Sequence, residues 1–140
     1  LQTMDISCYS FTAVANNASK IMNNGGSMIT LSYYGAEKVI PHYNVMGIAK
    51  AALEASVMYL AADLGDRDIR VNAISPGLTE TDLMLSNTKE DIIKAEIEKI
   101  SLKRIAKTNE IASVILFLAS EKSSYINGQN IIVDGGRLLN

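Results

Sequence analysis

Tyr33, Tyr34, Tyr43 and Lys50 lie within the run SYYGAEKVIPHYNVMGIAK, which says more about function than the rest of the chain. A phenol can hold or donate a proton, and an ammonium close by steadies the negative charge that develops on a reacting carbonyl oxygen. On a helix, the step from Tyr43 to Lys50 returns to within roughly 20° of the same face, roughly 10 Å further along the axis. The two side chains are therefore expected to line one groove and to meet different parts of one extended ligand. An isolated Tyr and Lys would ordinarily be a helix-start aromatic and a solvated charge, so context must raise this pair above that reading.

Composition narrows the context. With 140 residues, 48% of them hydrophobic, and a net charge of −2, the chain reads as one core-forming unit. Lys and Arg form no cluster and no stripe interleaved with aromatics, which argues against a nucleic-acid partner. No apolar run approaches the roughly 18 residues of a bilayer span, and no basic segment leads into an apolar one at the N-terminus. A soluble, cytoplasmic protein with no membrane partner is the expectation. Cys8 stands alone, so it is read as structural, and no Cys/His spacing with the sole His42 suggests a metal.

The elements that must position the motif follow from pattern. Residues 5–22 read as a helix closed by Asn23-Asn24-Gly25-Gly26, and residues 27–31 as a strand buried on both faces. The loop over 32–42 then delivers Tyr33 and Tyr34 at the strand's carboxyl end, where open α/β sheets bind ligands. Residues 44–64 form an alanine-rich helix ended by Gly65 and Asp66, and 70–74 a second buried strand turning at Ser75-Pro76-Gly77. A polar loop leads into a helix near 89–100. Thr108 is expected to cap another helix over 109–120, and 130–134 is the last strand. Strands alternating with helices predict an α/β fold: the C-terminal part of a doubly wound, parallel-sheet Rossmann-type domain with three recognisable strands. One edge of such a sheet would be unpaired.

Beyond the pattern, SYYGAEKVIPHYNVMGIAKAALEASVMYLAADLG followed by IRVNAISPG resembles the catalytic segment of the enoyl-acyl-carrier-protein reductases, within the short-chain dehydrogenase/reductase superfamily. Most of that superfamily uses Tyr-x-x-x-Lys, whereas the enoyl reductases place six residues between Tyr and Lys. Met46 occupies the position where the shorter motif needs its Tyr, so only the longer motif is present. The resemblance covers essentially all of this chain but only the C-terminal part of such a domain. No G-x-G-x-x-G occurs, and Gly25-Gly26 and Gly135-Gly136 have neither its spacing nor its setting. Residues 1–140 are thus expected to be a partial reductase domain, a fragment without the N-terminal dinucleotide-binding glycine loop.

The resemblance implies roles residue by residue. Tyr43 would hydrogen-bond the substrate thioester carbonyl as it becomes an enolate, and Lys50 would lower the Tyr43 pKa and bond the nicotinamide ribose. Tyr33 would be a second, substrate-facing tyrosine. Ile74 would meet the nicotinamide carboxamide through its backbone, Thr81 would reach the pyrophosphate, and Ser75 and Gly77 would lie on the cofactor side, although they also read simply as a turn. The implied cofactor is NADH, with NADPH possible; the implied substrate is an enoyl-acyl-carrier protein or enoyl-CoA, and a homo-oligomer is implied too. The turn departs from the family, which usually has Ser-Ala-Gly-Pro where this chain has Ser75-Pro76-Gly77-Leu78. That turn favours a 3-oxoacyl-type reductase, the first alternative. The second is a non-catalytic remnant that associates through exposed helices and a sheet edge.

Overall fold

The computed structural model describes residues 1–139. Apolar residues at helical spacing start the chain on a helix, α1, which begins at Gln2–Met4, passes through a π-helical turn at Asp5–Tyr9 and continues over Ser10–Ser19. It starts earlier and stops earlier than 5–22, and its C-terminal residue Lys20 is right-handed. Gly25 and Gly26, with φ of 74° and 148°, serve instead to turn the chain into strand β1, Gly26–Leu31. Helix α2 spans Val45–Leu64, strand β2 Ile69–Pro76 and the two-residue strand β3 Thr79–Glu80. Helices α3 (Asp82–Asn87) and α4 (Glu90–Lys99), strand β4 (Ala106–Lys107), helix α5 (Thr108–Ala119) and strand β5 (Asn130–Val133) complete the chain.

The main sheet is parallel, in the order β1-β2-β5, with Met28 opposite Val71 and Ile74 opposite Ile131. Alternation along the strands sorts its two faces. Met28, Val71 and Ala73 join Ala15 of α1 and Val57 and Ala61 of α2 in one buried cluster. Ala49, Leu53, Val57 and Ala61, at four-residue spacing, are the buried stripe of α2, and their small size brings the helix close to β2. The other face meets α5, where Ser27 donates to the Leu118 carbonyl at 2.9 Å. Helices on both faces of a parallel sheet define the doubly wound α/β architecture, as expected.

Several local expectations are corrected. Strand β1 is not buried on both faces, since Met28 is its one buried residue; it lies at the sheet edge with β2 on one side. Helix α2 does not end in a glycine cap: Gly65 is right-handed, a 3-10 turn continues over Gly65–Arg67, and Asp68 takes the left-handed position at φ 57°. Thr108 is the first residue of α5 and not its cap; the Glu110 carboxylate accepts the Lys107 N–H at 2.8 Å. The threonine-rich loop contains α3, and β3 pairs in parallel with β4, neither legible from short polar segments. Helix α2 with its 3-10 extension, Val45–Arg67, is long and apolar enough to cross a membrane by length and composition, contrary to the sequence reading. Its Lys50 and Glu54 interrupt a run of alanines, and its apolar stripe is spent on β2.

Candidate functional site

Every candidate site residue except the solvent-facing Thr81 gathers at the carboxyl end of β1 and β2. Leu31 ends β1, and the chain then leaves the sheet through Ser32, whose N–H donates to the Ile74 carbonyl at 2.7 Å. Tyr33, extended at φ −159°, precedes a 3-10 turn over Tyr34–Ala36. The rings of Tyr33 and Tyr34 lie 4.4 Å apart, and the Tyr43 ring meets Tyr33 edge-on at 5.2 Å. The structure therefore brings together the two tyrosines that the sequence singled out, with Tyr34 as a third member.

Tyr43 and Lys50 are not on one helix. Tyr43 lies in the turn before α2, whose N-cap is Asn44, so the seven-residue helical step does not describe their relation. The cause is a pair of consecutive turns. The Tyr43 N–H donates to the Ile40 carbonyl at 3.1 Å, across Pro41 and His42, with His42 at φ 66°. That is a type II pattern, with Pro at the first central position and positive φ at the second. The Met46 N–H then donates to the Tyr43 carbonyl at 3.0 Å, across Asn44 at φ 43°, ψ −120°. Those angles belong to the first central position of a type II′ turn.

Lys50, one turn further into α2 from Met46, donates to the Leu31 carbonyl at 2.7 Å and so stands at the end of β1. Burial lowers its pKa, opposed by the Glu54 carboxylate four residues on. Glu54 in turn accepts the Ser32 hydroxyl; burial pushes this carboxyl up, and the serine acts against the shift. The sequence reading passed over Glu54, whose signal was its position one turn after Lys50 on the same face.

Burial raises the Tyr43 phenol, and no cation opposes it. The expected lowering by Lys50 is thus corrected, because Lys50 is directed to the Leu31 carbonyl and to Glu54. Tyr33 is pushed up as well, first by burial and then by the neighbouring Tyr34 hydroxyl. Both phenols are consequently neutral donors across the physiological range.

The remaining residues sit as follows. Ile74 is fully buried on the central strand, opposite Leu31 at the end of β1, its carbonyl engaged by Ser32. The Ser75 hydroxyl donates to the Asn130 side chain at 3.0 Å, tying β2 to β5. A Cβ on Gly77 would stand 2.8 Å from the Asp134 Cα, so only glycine allows the ends of β2 and β5 to meet this closely. Thr81 caps α3, its hydroxyl oxygen accepting the Met84 N–H at 3.2 Å, and the residue is exposed. A cavity of about 410 Å³ opens beside the tyrosines, bounded by Tyr33, Tyr34, Pro41, Leu78 and Ile100. Glu96, paired with Arg137 at 3.2 Å, also lines it.

A parallel sheet with helices on both faces, carrying tyrosines and a lysine at its carboxyl end, is the architecture of the short-chain dehydrogenase/reductase class. Residues 1–137 match the family model described as Enoyl-(Acyl carrier protein) reductase, and the chain belongs to that family. The NADH enoyl-acyl-carrier-protein reductase 1 of Rhizobium meliloti (strain 1021) is 56% identical over 137 residues, covering 96% of this chain and 50% of that relative. The reductase of Anaplasma phagocytophilum, solved in complex with NAD, aligns with a TM-score of 0.85 at 47% identity, over 96% of this chain and 49% of its own. The Bacillus cereus enoyl-acyl carrier protein reductase, solved with NADP+ and indole naphthyridinone, aligns at 0.87 and 44% identity, over 96% and 53%. The chain thus spans about half the length of the curated relatives it matches.

Proposed function

We propose that residues 1–140 are the catalytic, substrate-side portion of an enoyl-acyl-carrier-protein reductase of fatty-acid synthesis, a partial Rossmann-type domain whose glycine-rich loop lies outside this segment. The observation that carries the reading is the edge contact of Tyr43 with Tyr33 at 5.2 Å beside an opening at the carboxyl end of the sheet. Tyr43, neutral through burial, donates its hydroxyl proton in a hydrogen bond to the thioester carbonyl of a trans-2-enoyl-acyl-carrier protein or enoyl-CoA. The bond strengthens as negative charge collects on that oxygen, so it favours the transition state over the ground state. Tyr33, in edge contact with Tyr43, lines the opening and orients the acyl thioester.

The donor set fits a nicotinamide dinucleotide. Lys50 brings an ammonium to the end of β1, for the ribose hydroxyls; the backbone of Ile74 and Ser75, the glycine at Gly77 and the exposed Thr81 hydroxyl continue along the carboxyl edge. NADH, or NADPH, supplies the hydride when bound. The protein acts in the cytoplasm, and as a homo-oligomer; the exposed Ile48, Met58 and Tyr59 on the outer side of α2 support the second of these.

The first test is titration of a full-length reductase carrying this segment with NADH and NADPH, following nicotinamide fluorescence. Micromolar binding is expected once the chain is joined to the remainder of a reductase, together with turnover of crotonyl thioesters. A full-length protein that binds neither nucleotide and reduces no enoyl thioester would sink the assignment.

A further inference from the structure

We infer that Asn44 is a positioning residue for Tyr43, acting through the conformation of its backbone and not through its side chain. The inference rests on the reading of Tyr43 as the oxyanion donor.

Asn at the start of a helix ordinarily serves as a cap, its side chain accepting an N–H from the first turn while its backbone is extended. Asn44 does neither. Its side chain makes no capping hydrogen bond, and its backbone sits at φ 43°, ψ −120°. An L-residue with a β-carbon rarely adopts that conformation, glycine adopts it freely, and Asn is among the side chains that tolerate positive φ. Among the described residues, non-glycine positive φ occurs at His42, Asn44, Asp68 and Lys103, so two of the four flank Tyr43. Asp68, with ψ 29°, is an ordinary left-handed turn residue, whereas the ψ of Asn44 lies far from that well.

The consequence of the turn is a direction. As the first residue of the type II′ turn closed by Met46, Tyr43 is held back from the helical path that Val45 begins, and its ring lies over Gly35. A Cβ on Gly35 would stand 2.6 Å from the Tyr43 Cδ1 and Cε1, so the ring rests directly on the glycine. Gly47, in the first turn of α2, holds that support: its own Cβ would come within 2.8 Å of the Gly35 carbonyl oxygen. With an extended residue at 44, the Tyr43 side chain would leave the Gly35 seat and its edge contact with Tyr33. Asn44 is exposed, so burial of its side chain does not account for its identity.

The decisive comparison uses Asn44→Gly, Asn44→Ala and Asn44→Val in the full-length reductase carrying this segment. Gly and Ala both remove the amide, but only Gly keeps the turn without strain. Asn44→Gly is expected to retain kcat within about twofold, while Ala and Val lower it by about 10–100-fold, the scale of a reacting group displaced by an ångström. The cofactor dissociation constant should stay within about twofold in all three. Combined with Tyr43→Phe, Asn44→Ala should add no further loss, because the residue acts through the phenol. If Gly loses as much as Ala, or Ala keeps wild-type kcat, or the losses in the double variant multiply, the inference is overturned. Should Val fail to fold, the Gly and Ala pair with the double variant decides. Tyr43→Phe with undiminished kcat would instead overturn the reading of the site, and the Asn44 series would then follow the thermal stability of each variant.

Discussion

The two ends of strand β2 are built on opposite terms. At its amino end, polar groups are paired off: Arg70 donates to the Leu118 and Ser120 carbonyls at 3.0 and 3.2 Å and to the Ser123 hydroxyl at 3.0 Å. Asn72, fully buried, donates to the Ile126 carbonyl at 2.9 Å and accepts the Gln129 N–H at 3.0 Å. These bonds satisfy the carbonyls that end α5 and lock the loop leading to β5. At the carboxyl end the chain instead holds two non-glycine residues at positive φ, tyrosines packed at tilted and edge-on angles, and a lysine and a glutamate whose pKa values are both displaced by burial. A fold that can satisfy its polar groups this fully at one end tolerates strain at the other when a function is served there. One end stabilises the sheet; the other, on the proposed reading, positions a donor.

The comparison breaks most readily at the tyrosine. Tyr43→Phe should lower kcat by about 10²–10³-fold, the range for removal of one oxyanion donor, with little change in cofactor affinity. Lys50→Ala should lower turnover as well and, unlike the phenylalanine variant, weaken NADH binding. Steady-state kinetics with a crotonyl thioester and a separate nucleotide titration resolve the two, and wild-type rates in both variants would remove the catalytic assignment. Arg70→Met should do the reverse: lose about 1–3 kcal/mol of stability in urea, because the charge-assisted bonds of Arg70 to the Leu118 and Ser120 carbonyls and the Ser123 hydroxyl are removed, with kcat per folded molecule unchanged. A drop in kcat with stability intact would mean that the two ends are not separable.

A subtler effect sharpens the carboxyl end. The Glu54 carboxylate holds up a Lys50 pKa that burial lowers. In Glu54→Gln the lysine should therefore lose its proton at lower pH, and the alkaline loss of NADH affinity should move down the pH scale. An unshifted profile would show that the carboxylate does not act on Lys50.

The sheet and its order of elements were legible because apolar periodicity and glycine punctuation report burial and turns, and these decide a parallel α/β core. The family was legible from the Tyr43 to Lys50 spacing with Met46 between. What failed was the inference from spacing to geometry: counting along a helix assumes that the helix includes both residues, and Asn44 begins it one residue after Tyr43. Pro41 gave a local signal for a turn, and His and Asn tolerate positive φ, but neither residue type by itself requires the conformations that His42 and Asn44 take. Glu54 and Ser32 were missed because their contact joins a helix to a strand end, a pairing that no local pattern records. The short strands β3 and β4 depend wholly on each other, so neither segment carries a strand signal alone.

The smallest expected effect lies outside both ends, at the entrance to α5. Arg104 grips Glu110 through two bonds of 2.7 Å, and the Lys107 N–H adds a third at 2.8 Å. Arg104 chiefly, with the Lys107 amide second, brings the Glu110 carboxyl from its ordinary 4.5 down to about 2. The folded state then holds this proton more weakly than the unfolded chain, so the group's contribution is present above pH 4.5 and disappears as pH falls through about 2. Because the pair is solvent-exposed, the contribution is modest and screened by salt. Glu110→Gln should lower the urea midpoint slightly at neutral pH, and the gap from wild type should close on acidification across that window. A gap that persists unchanged at pH 2 would assign the loss to altered packing or bond geometry at the start of α5 and not to charge, since glutamine keeps an acceptor for the Lys107 N–H but carries no proton to titrate.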